Sequence, residues 1–134
     1  MSEIVAFVKH GAALITPNVL AKVMRNLPMW KASFAQIDSP RHPHLVNQLI
    51  FLADLVEDVA EGIYKDLPYV ALAEAIFAVT YAHQSVDIIP DSVPKLGHAD
   101  DSSVVRAVLI QNEKTFAKYA EAQGINWSKI TRQP

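Results

Sequence analysis

A chain of 134 residues, 51% of them hydrophobic, is long enough for one domain with a sizeable core and too apolar to be disordered. It contains no cysteine, which excludes disulfides, zinc–thiolate sites and a thiol nucleophile, and which suits a reducing compartment. The net charge of −2 hides an uneven pattern. Residues 1–41 hold five basic and two acidic side chains. Residues 42–101 hold two basic and ten acidic side chains, and residues 102–134 hold five basic and two acidic ones. This pattern predicts that the ends of the chain pack over its acidic middle, or that copies of the chain associate.

The composition also limits where the protein acts and what it binds. No continuous basic surface laced with aromatic residues is visible, so a nucleic-acid partner is not expected. The N-terminus opens with Glu3, and its apolar stretch is interrupted by Lys9 and His10, which argues against a secretory signal. No apolar run reaches the roughly 20 residues of a membrane-spanning helix. We therefore expect a cytoplasmic protein without a transmembrane span, with a position at the membrane periphery as an alternative.

Three helices are predicted in the first part of the chain, over residues 3–15, 17–26 and 28–37, and residues 41–44 are predicted to be a connector. Gly11 weakens the first helix by roughly 1 kcal/mol. Thr16 and Pro17 are typical of an N-cap followed by the first helical position. Pro28 is expected to separate the second helix from the third, because proline removes a backbone donor.

The next helix has the clearest periodicity. Its apolar residues recur at spacings of four and three, as Leu45, Leu49, Leu52, Val56, Val59 and Ile63. The opposite side carries the acidic residues Asp54, Glu57, Asp58 and Glu61, for which a solvated face is predicted, since the Glu-x-x-His motifs of carboxylate metal bundles are missing. Ile50 and Phe51 lie off the apolar stripe. Together with the charge pattern, this excess predicts a homo-oligomer.

Residues 68–83 predict a helix that is apolar on nearly every side and therefore central to a bundle. Small residues form a ridge along it, at Ala71, Ala75, Ala78 and Ala82. Its one acidic residue, Glu74, is costly to bury unless it is paired. We therefore expect polar groups or a basic side chain from outside this helix to contact Glu74; the basic candidates are Lys9, His10, Lys22, Arg25, Arg106 and Lys114.

A last long helix is predicted from Asp100 or Asp101 to Gly124, with Trp127 anchoring the tail. No segment alternates with a period of two. The sequence therefore predicts a single all-α domain over residues 1–134, a compact bundle of five or six helices around the helix at 68–83.

The segment 84–99 is predicted to be a loop that clasps the bundle. Pro90 and Pro94 disfavour helix in the residues before them. Asp87 and Asp91 are suited to bonding nearby backbone N–H groups, and Gly97 suits a reversal. The Asp100-Asp101 pair is expected to cap the last helix.

Nine residues of this region resemble, in one register, the signature of the YkvA-like family, a domain family of unknown function. That signature is approximately Tyr, then Pro-x-Asp-x-Ile-Pro-Asp, two residues, Pro, and Gly-x-x-Asp-Asp. The matching residues are Tyr81, Asp87, Ile89, Pro90, Asp91, Pro94, Gly97, Asp100 and Asp101. Ser85 stands where the family usually has its first proline, so the start of the loop is expected to be less rigid. The resemblance covers about residues 67–115 and implies a compact helical domain, associated with membranes in some members, with no established activity to transfer.

A second interpretation of the loop is a divalent-metal site, because hard cations prefer oxygen ligands. Its candidate ligands are Asp87, Asp91, Asp100 and Asp101, with His83 or His98. Their spacing matches no EF-hand or other established metal motif. Turn and helix capping is therefore the favoured role of these aspartates.

The function expected from the sequence is that of an interaction or scaffold module without catalytic activity or cofactor. The sequence lacks a Gly-x-Ser-x-Gly elbow, a P-loop, a Rossmann fingerprint and a His-Glu-x-x-His motif. Its expected partners are proteins, including another copy of the chain. One alternative is a metal-dependent enzyme centred on the Asp-rich loop, and another is a peripheral membrane protein that uses exposed apolar helix surface.

Overall fold

The computed structural model describes the backbone of residues 2–38, 40–88, 94–130 and 133, and the side chains of these residues apart from 2, 85–88 and 94–100. The described residues form six α-helices and one 3₁₀ helix, and no strand occurs among them. The elements are α1 (Ser2–Ala12), α2 (Pro17–Ala35), α3 (Leu45–Ala60), α4 (Tyr69–Ile88), α5 (Pro94–Gln111), α6 (Glu113–Ala122) and the 3₁₀ helix Trp127–Lys129. The predicted all-α bundle is confirmed.

Helix α4 lies at the centre of the bundle, as its composition predicts. It packs against α1, α2, α3 and α5. The four alanines of its small-residue ridge are each at most 2% exposed. A helix surrounded on several sides has no face left for charged residues, which explains why its sequence is apolar almost throughout.

Two helix ends follow their sequence signals. Thr16 caps α2, and its Oγ1 accepts a hydrogen bond from the backbone N–H of Val19 at 3.3 Å. Gly124 follows α6 with a φ of 72°, a conformation that favours glycine. The backbone N–H of Ile125 then donates to the carbonyl of Ala120 at 2.8 Å, which completes a Schellman termination.

The predicted break at Pro28 is wrong, because α2 continues through it. Val23, Leu27 and Phe34 are all buried and lie along one stripe that extends past the proline. Pro28 itself is exposed, so water can hydrate the carbonyl that its missing N–H leaves without a donor. No single described helix is long and apolar enough to cross a membrane; α1 and α2 satisfy that test only as a pair, bent by 98°.

Helix α3 is shorter than its apolar stripe. It ends at Ala60, and Gly62 adopts a φ of 79° immediately afterwards. Ile63, expected within the buried stripe, is 58% exposed as a result. Phe51, expected outside that stripe, is only 3% exposed and packs inside the chain.

The predicted loop at 84–99 is largely helical. Helix α4 extends through Ile88, and α5 begins at Pro94. Proline suits the first turn of a helix, where its missing N–H has no intrahelical partner, so Pro94 starts a helix here. Asp100 and Asp101 lie in the interior of α5, and the prediction that they cap its start is wrong.

The last long helix is also interrupted. Asn112 separates α5 from α6 with φ −118° and ψ 25°, outside the helical range. Its side-chain Nδ2 donates to the carbonyl of Val108 at 2.9 Å. An asparagine that bonds to backbone competes with regular helix formation, which accounts for the break.

Helix α1 approaches α4 closely at Gly11. A Cβ at this position would overlap the ring of Phe77. That ring is held by edge-on contact with Phe7, at 5.4 Å between centroids, and by Tyr81, at 6.1 Å. Gly11 therefore lowers the helix propensity of α1 but allows the helix to lie directly on α4.

We expect Gly11→Ala to lower the free energy of unfolding by about 1–2 kcal/mol. Overpacking against Phe77 outweighs the roughly 1 kcal/mol gained in helix propensity. Urea denaturation measures this directly. Phe77→Ala provides the control, because the same glycine substitution should become stabilising once the ring is removed. A stabilising Gly11→Ala in the wild-type background would contradict the close approach.

Candidate functional site

Glu74 is the buried charged group around which the site is built. Its side chain is 1% exposed in the middle of α4. The Lys9 ammonium of α1 lies 3.0 Å from its Oε2. Asn112 Nδ2, between α5 and α6, donates to its Oε1 at 2.9 Å. The prediction that a basic side chain from outside the helix contacts Glu74 is confirmed, and both carboxylate oxygens have a partner, as a buried charge requires.

Asn112 is a part of this site that the sequence did not reveal. In the sequence it falls within the apolar run of the last helix, where it resembles an ordinary polar interruption. Its amide bridges Glu74 Oε1 and the carbonyl of Val108, at 2.9 Å in both cases. The sequence did contain a signal for this contact. Asn112 and Glu74 are each a polar residue within an apolar helical segment, and buried polar side chains are usually hydrogen-bonded to one another or to backbone.

A cavity of about 300 Å³ lies beside the ion pair, between the end of α1 and the start of α4. We call it the α1–α4 groove; it is lined by Lys9, Ala12, Ala13, Ile15, Tyr69, Val70, Ala73 and Glu74. Tyr69 and Val70 are 52% and 60% exposed. The Tyr69 hydroxyl donates to the carbonyl of Ile15 at 2.9 Å and ties the start of α4 to the α1–α2 turn. The groove is therefore apolar, with one ion pair in its wall.

The two charged groups of the groove differ in exposure. The Glu74 carboxylate is buried and held on both oxygens, whereas the Lys9 side chain is 54% exposed. An ammonium has three N–H donors, and Glu74 accepts one of them. The described residues of the groove include no histidine, serine or threonine, so it offers no nucleophile–base pair of the usual kind. It combines apolar walls with one ammonium that is not fully enclosed.

The acidic side of α3 is less solvated than expected. Lys31 of α2 lies 2.6 Å from Asp54 Oδ1 and 2.8 Å from Glu57 Oε1. The hydrogen bonds to Asp54 and Glu57 raise the pKa of Lys31 above its usual value of 10.5. One lysine thus bridges two carboxylates and fastens α2 to α3.

A third acidic residue of α3 is also engaged. The hydroxyl of Tyr119, which is fully buried, donates to Asp58 Oδ2 at 2.5 Å. Burial, followed by the hydrogen bond to Asp58, raises the pKa of Tyr119 well above its usual value of 10.0. Glu61 is exposed, as predicted for the whole acidic face.

These contacts bear on the uneven charge of the chain. Lys9 and Lys31 belong to the basic segment 1–41, and each pairs with carboxylates of the acidic segment 42–101. The contacts favour packing of the N-terminal segment over the acidic middle as the reason for the pattern. Phe51, one of the two residues behind the predicted homo-oligomer, is buried within the chain, and the homo-oligomer stays a prediction.

The residues proposed as metal ligands are only partly described. Asp101 is buried within α5, and His83 stacks on Trp30 with 4.2 Å between ring centroids. The side chains of Asp87, Asp100 and His98, and the whole of Asp91, lie outside the described residues. Among the side chains that are described, no three His, Asp or Glu residues form a group able to hold a metal ion. The divalent-metal site stays a hypothesis.

The motif residues of the predicted clasp are spread over two helices. Tyr81 lies in α4, edge-on to Phe7 of α1 at 5.7 Å between centroids. Pro94 and Gly97 lie within α5, while Pro90 is outside the described residues. No family model, curated protein or solved structure matches this chain. The YkvA-like resemblance therefore stays an expectation from the motif alone.

We expect Lys9→Met to lower the free energy of unfolding by roughly 2–3 kcal/mol, and Glu74→Gln by about 1 kcal/mol. Removing only the lysine strands a buried carboxylate, whereas glutamine keeps an acceptor for Asn112 and carries no charge. The first figure is below the roughly 3–5 kcal/mol of fully buried pairs because Lys9 is half exposed. Chemical denaturation of both variants, with the double variant as control, measures the difference. A more harmful Glu74→Gln would refute the pairing.

We expect stability to fall as the pH rises above about 10. The pKa values of Tyr119 and Lys31 are raised in the folded chain, so the unfolded chain loses a proton from each side chain at a lower pH than the folded chain does. The contribution of these two groups to the free energy of unfolding is therefore constant below their unfolded pKa values and is lost as the pH rises above them. Each group contributes at most about 1.4 kcal/mol per pH unit. Urea midpoints on either side of pH 10 test this, and Tyr119→Phe should flatten the decline. Ionisation of all four tyrosines in the folded protein near pH 10, seen by ultraviolet absorbance, would contradict it.

Proposed function

We propose that this protein is a non-catalytic interaction module that binds a segment of another protein in the α1–α4 groove. The observation that carries the proposal is the coincidence, in one place, of an apolar cavity of about 300 Å³ and a lysine whose side chain is half exposed. Binding sites are typically concave and mostly apolar, with a few polar groups that orient the ligand. The groove has this composition.

The mouth of the groove supports the same function. Tyr69 and Val70 keep more than half of their surface in water. Exposed apolar residues grouped beside a cavity are a frequent mark of interaction surfaces, and tyrosine is enriched at the positions that dominate binding energy. The hydrogen bond from Tyr69 to Ile15 holds the rim in place before a partner arrives. A preformed rim lowers the ordering cost of association.

The finer features of the proposal come from the sequence. We place the protein in the cytoplasm, since its sequence contains no cysteine and suits a reducing compartment. We also propose that it is a YkvA-like domain, on the nine-residue motif around Tyr81 and Asp101. Self-association is part of the same proposal and is tested by light scattering at micromolar concentration.

The proposal predicts that a change at the mouth of the groove weakens binding and that an equally exposed residue elsewhere does not. Val70 and Ile63 are 60% and 58% exposed, and Val70 alone of the two lines the groove. Peptides are selected from a random library displayed both inside a scaffold loop and at a free C-terminus. Their affinities are then measured for the wild type, Val70→Ser and Ile63→Ser.

We expect Val70→Ser to weaken the selected peptides by about 10-fold, the scale of one buried side chain lost from an interface, and Ile63→Ser to leave them unchanged. Amide shift changes in a nuclear magnetic resonance titration should centre on the end of α1 and the start of α4. Peptides whose binding is insensitive to Val70→Ser, or shift changes confined to another face, would contradict the proposed site.

A further inference from the structure

Resting on the proposed function, we infer that the α1–α4 groove recognises the free C-terminus of a partner chain that ends in an aliphatic residue. The terminal carboxylate pairs with the Lys9 ammonium, and the aliphatic side chain enters the apolar cavity. This inference names the partner's chemistry, which the proposed function leaves open. It follows from the charge of Lys9, the size of the cavity and the position of Glu74.

Lys9 has fewer carboxylate partners among the described residues than Lys31 does. Lys31 contacts two carboxylates, at 2.6 and 2.8 Å, and is 29% exposed. Lys9 contacts one described carboxylate, at 3.0 Å, and is 54% exposed beside a cavity. A ligand carboxylate would supply Lys9 with the second partner that Lys31 has within the protein. Such charge-assisted hydrogen bonds are about twice as strong as neutral ones.

The cavity limits the size and shape of the ligand. The cavity, at about 300 Å³, lies at the lower end of the roughly 300–1,000 Å³ typical of ligand sites, so it holds about one residue and not a long segment. Its apolar walls are formed by Ala12, Ala13, Ile15, Val70 and Ala73. An Asp or Glu side chain carries a carboxylate but has no apolar body to fill this space. A C-terminal Leu, Ile or Val carries the carboxylate and the aliphatic group on the same Cα.

Glu74 keeps the Lys9 ammonium in place at the groove. Its side chain is 1% exposed, and its two oxygens accept from Lys9 at 3.0 Å and from Asn112 at 2.9 Å, so it has no exposed acceptor to offer a ligand. The member of this ion pair that faces water is Lys9, whose side chain is 54% exposed. A ligand carboxylate complements that donor, whereas a cationic ligand would have to displace Lys9.

The test uses calorimetry on the full chain with four probes. The first is an acetylated peptide of alternating Ser and Gly that ends in Leu with a free carboxylate. The second is the same peptide with a C-terminal amide, the third ends in Ser, and the fourth is hexanoate. We expect the first to bind at least 10-fold more tightly than the second and third, since one lost charge-assisted bond or one lost aliphatic contact reaches that size.

The variants separate recognition from folding. Lys9→Met should weaken the free-acid peptide at least 10-fold, while Lys22→Met, at an exposed lysine that does not line the groove, should not. Lys9→Met with Glu74→Gln carries no stranded charge, so its failure to bind cannot be attributed to unfolding. Glu74→Gln alone removes the negative charge that repels the ligand carboxylate, so the free-acid peptide should bind more tightly.

Several outcomes would overturn the inference. Equal binding of acid and amide peptides, or selection of internal peptides that respond to Val70→Ser, would show that the groove binds protein segments but not chain ends, and the proposed function would stand. If hexanoate binds and the free-acid peptide does not, the ligand of the groove is a small aliphatic acid and not the end of a protein chain. Tighter peptide binding in Lys9→Met would reverse the assigned charge of the ligand. If no probe binds and no selected peptide depends on Val70, the proposed function fails as well.

Discussion

The structure depends on satisfying one carboxylate in the middle of its central helix. Glu74 is 1% exposed in α4, and its two oxygens are held by Lys9 of α1 and by Asn112 at the junction of α5 and α6. An ionised group in a low-dielectric interior is tolerated only with such partners. The arrangement therefore fixes where α1 lies along α4, and where the last helical segment must break so that Asn112 can turn towards the acid.

The groove is a consequence of the same arrangement. Gly11 brings α1 directly onto the Phe77 ring, and Lys9, two residues earlier, reaches the carboxylate from the open side. Beyond the contact, the chain turns away at Ile15 and leaves the space that Tyr69 borders. The ion pair that stabilises the fold thus lies in the wall of the cavity. The proposed binding site therefore has its polar groups in place before a ligand arrives, which favours affinity.

Sequence reasoning reached those features that depend on local chemistry. The cap at Thr16, the termination at Gly124 and the need of Glu74 for a partner all follow from one residue and its immediate pattern. It failed where one residue type is compatible with two structures: Pro28 was expected to separate two helices yet lies inside one, and the last helix, expected from Asp100 or Asp101, begins at Pro94. Proline lacks a backbone N–H, and tertiary packing decides whether a carbonyl is left without a hydrogen-bond donor as a result.

The sequence predicted only part of the candidate site, because the rest also depends on tertiary packing. Lys9 was one of several basic candidates, and nothing local distinguished it from Lys22, because the choice depends on how α1 crosses α4. Asn112 and the groove were missed since both arise from the approach of elements distant in the sequence. The solvated face assigned to α3 was correct only in part: Lys31 on α2 contacts both Asp54, which keeps 41% of its side chain exposed, and Glu57, which keeps 20%.

The most direct test of this account is whether Lys9 and Asn112 are coupled through Glu74. We predict that the cost of Lys9→Met combined with Asn112→Ala differs from the sum of the two single costs by roughly 1 kcal/mol, because both side chains stabilise the same carboxylate and the loss of one changes what the other contributes. In a Glu74→Gln background this difference should vanish. Additive costs in the wild-type background would show that the two residues do not act through the buried carboxylate, and would contradict the account.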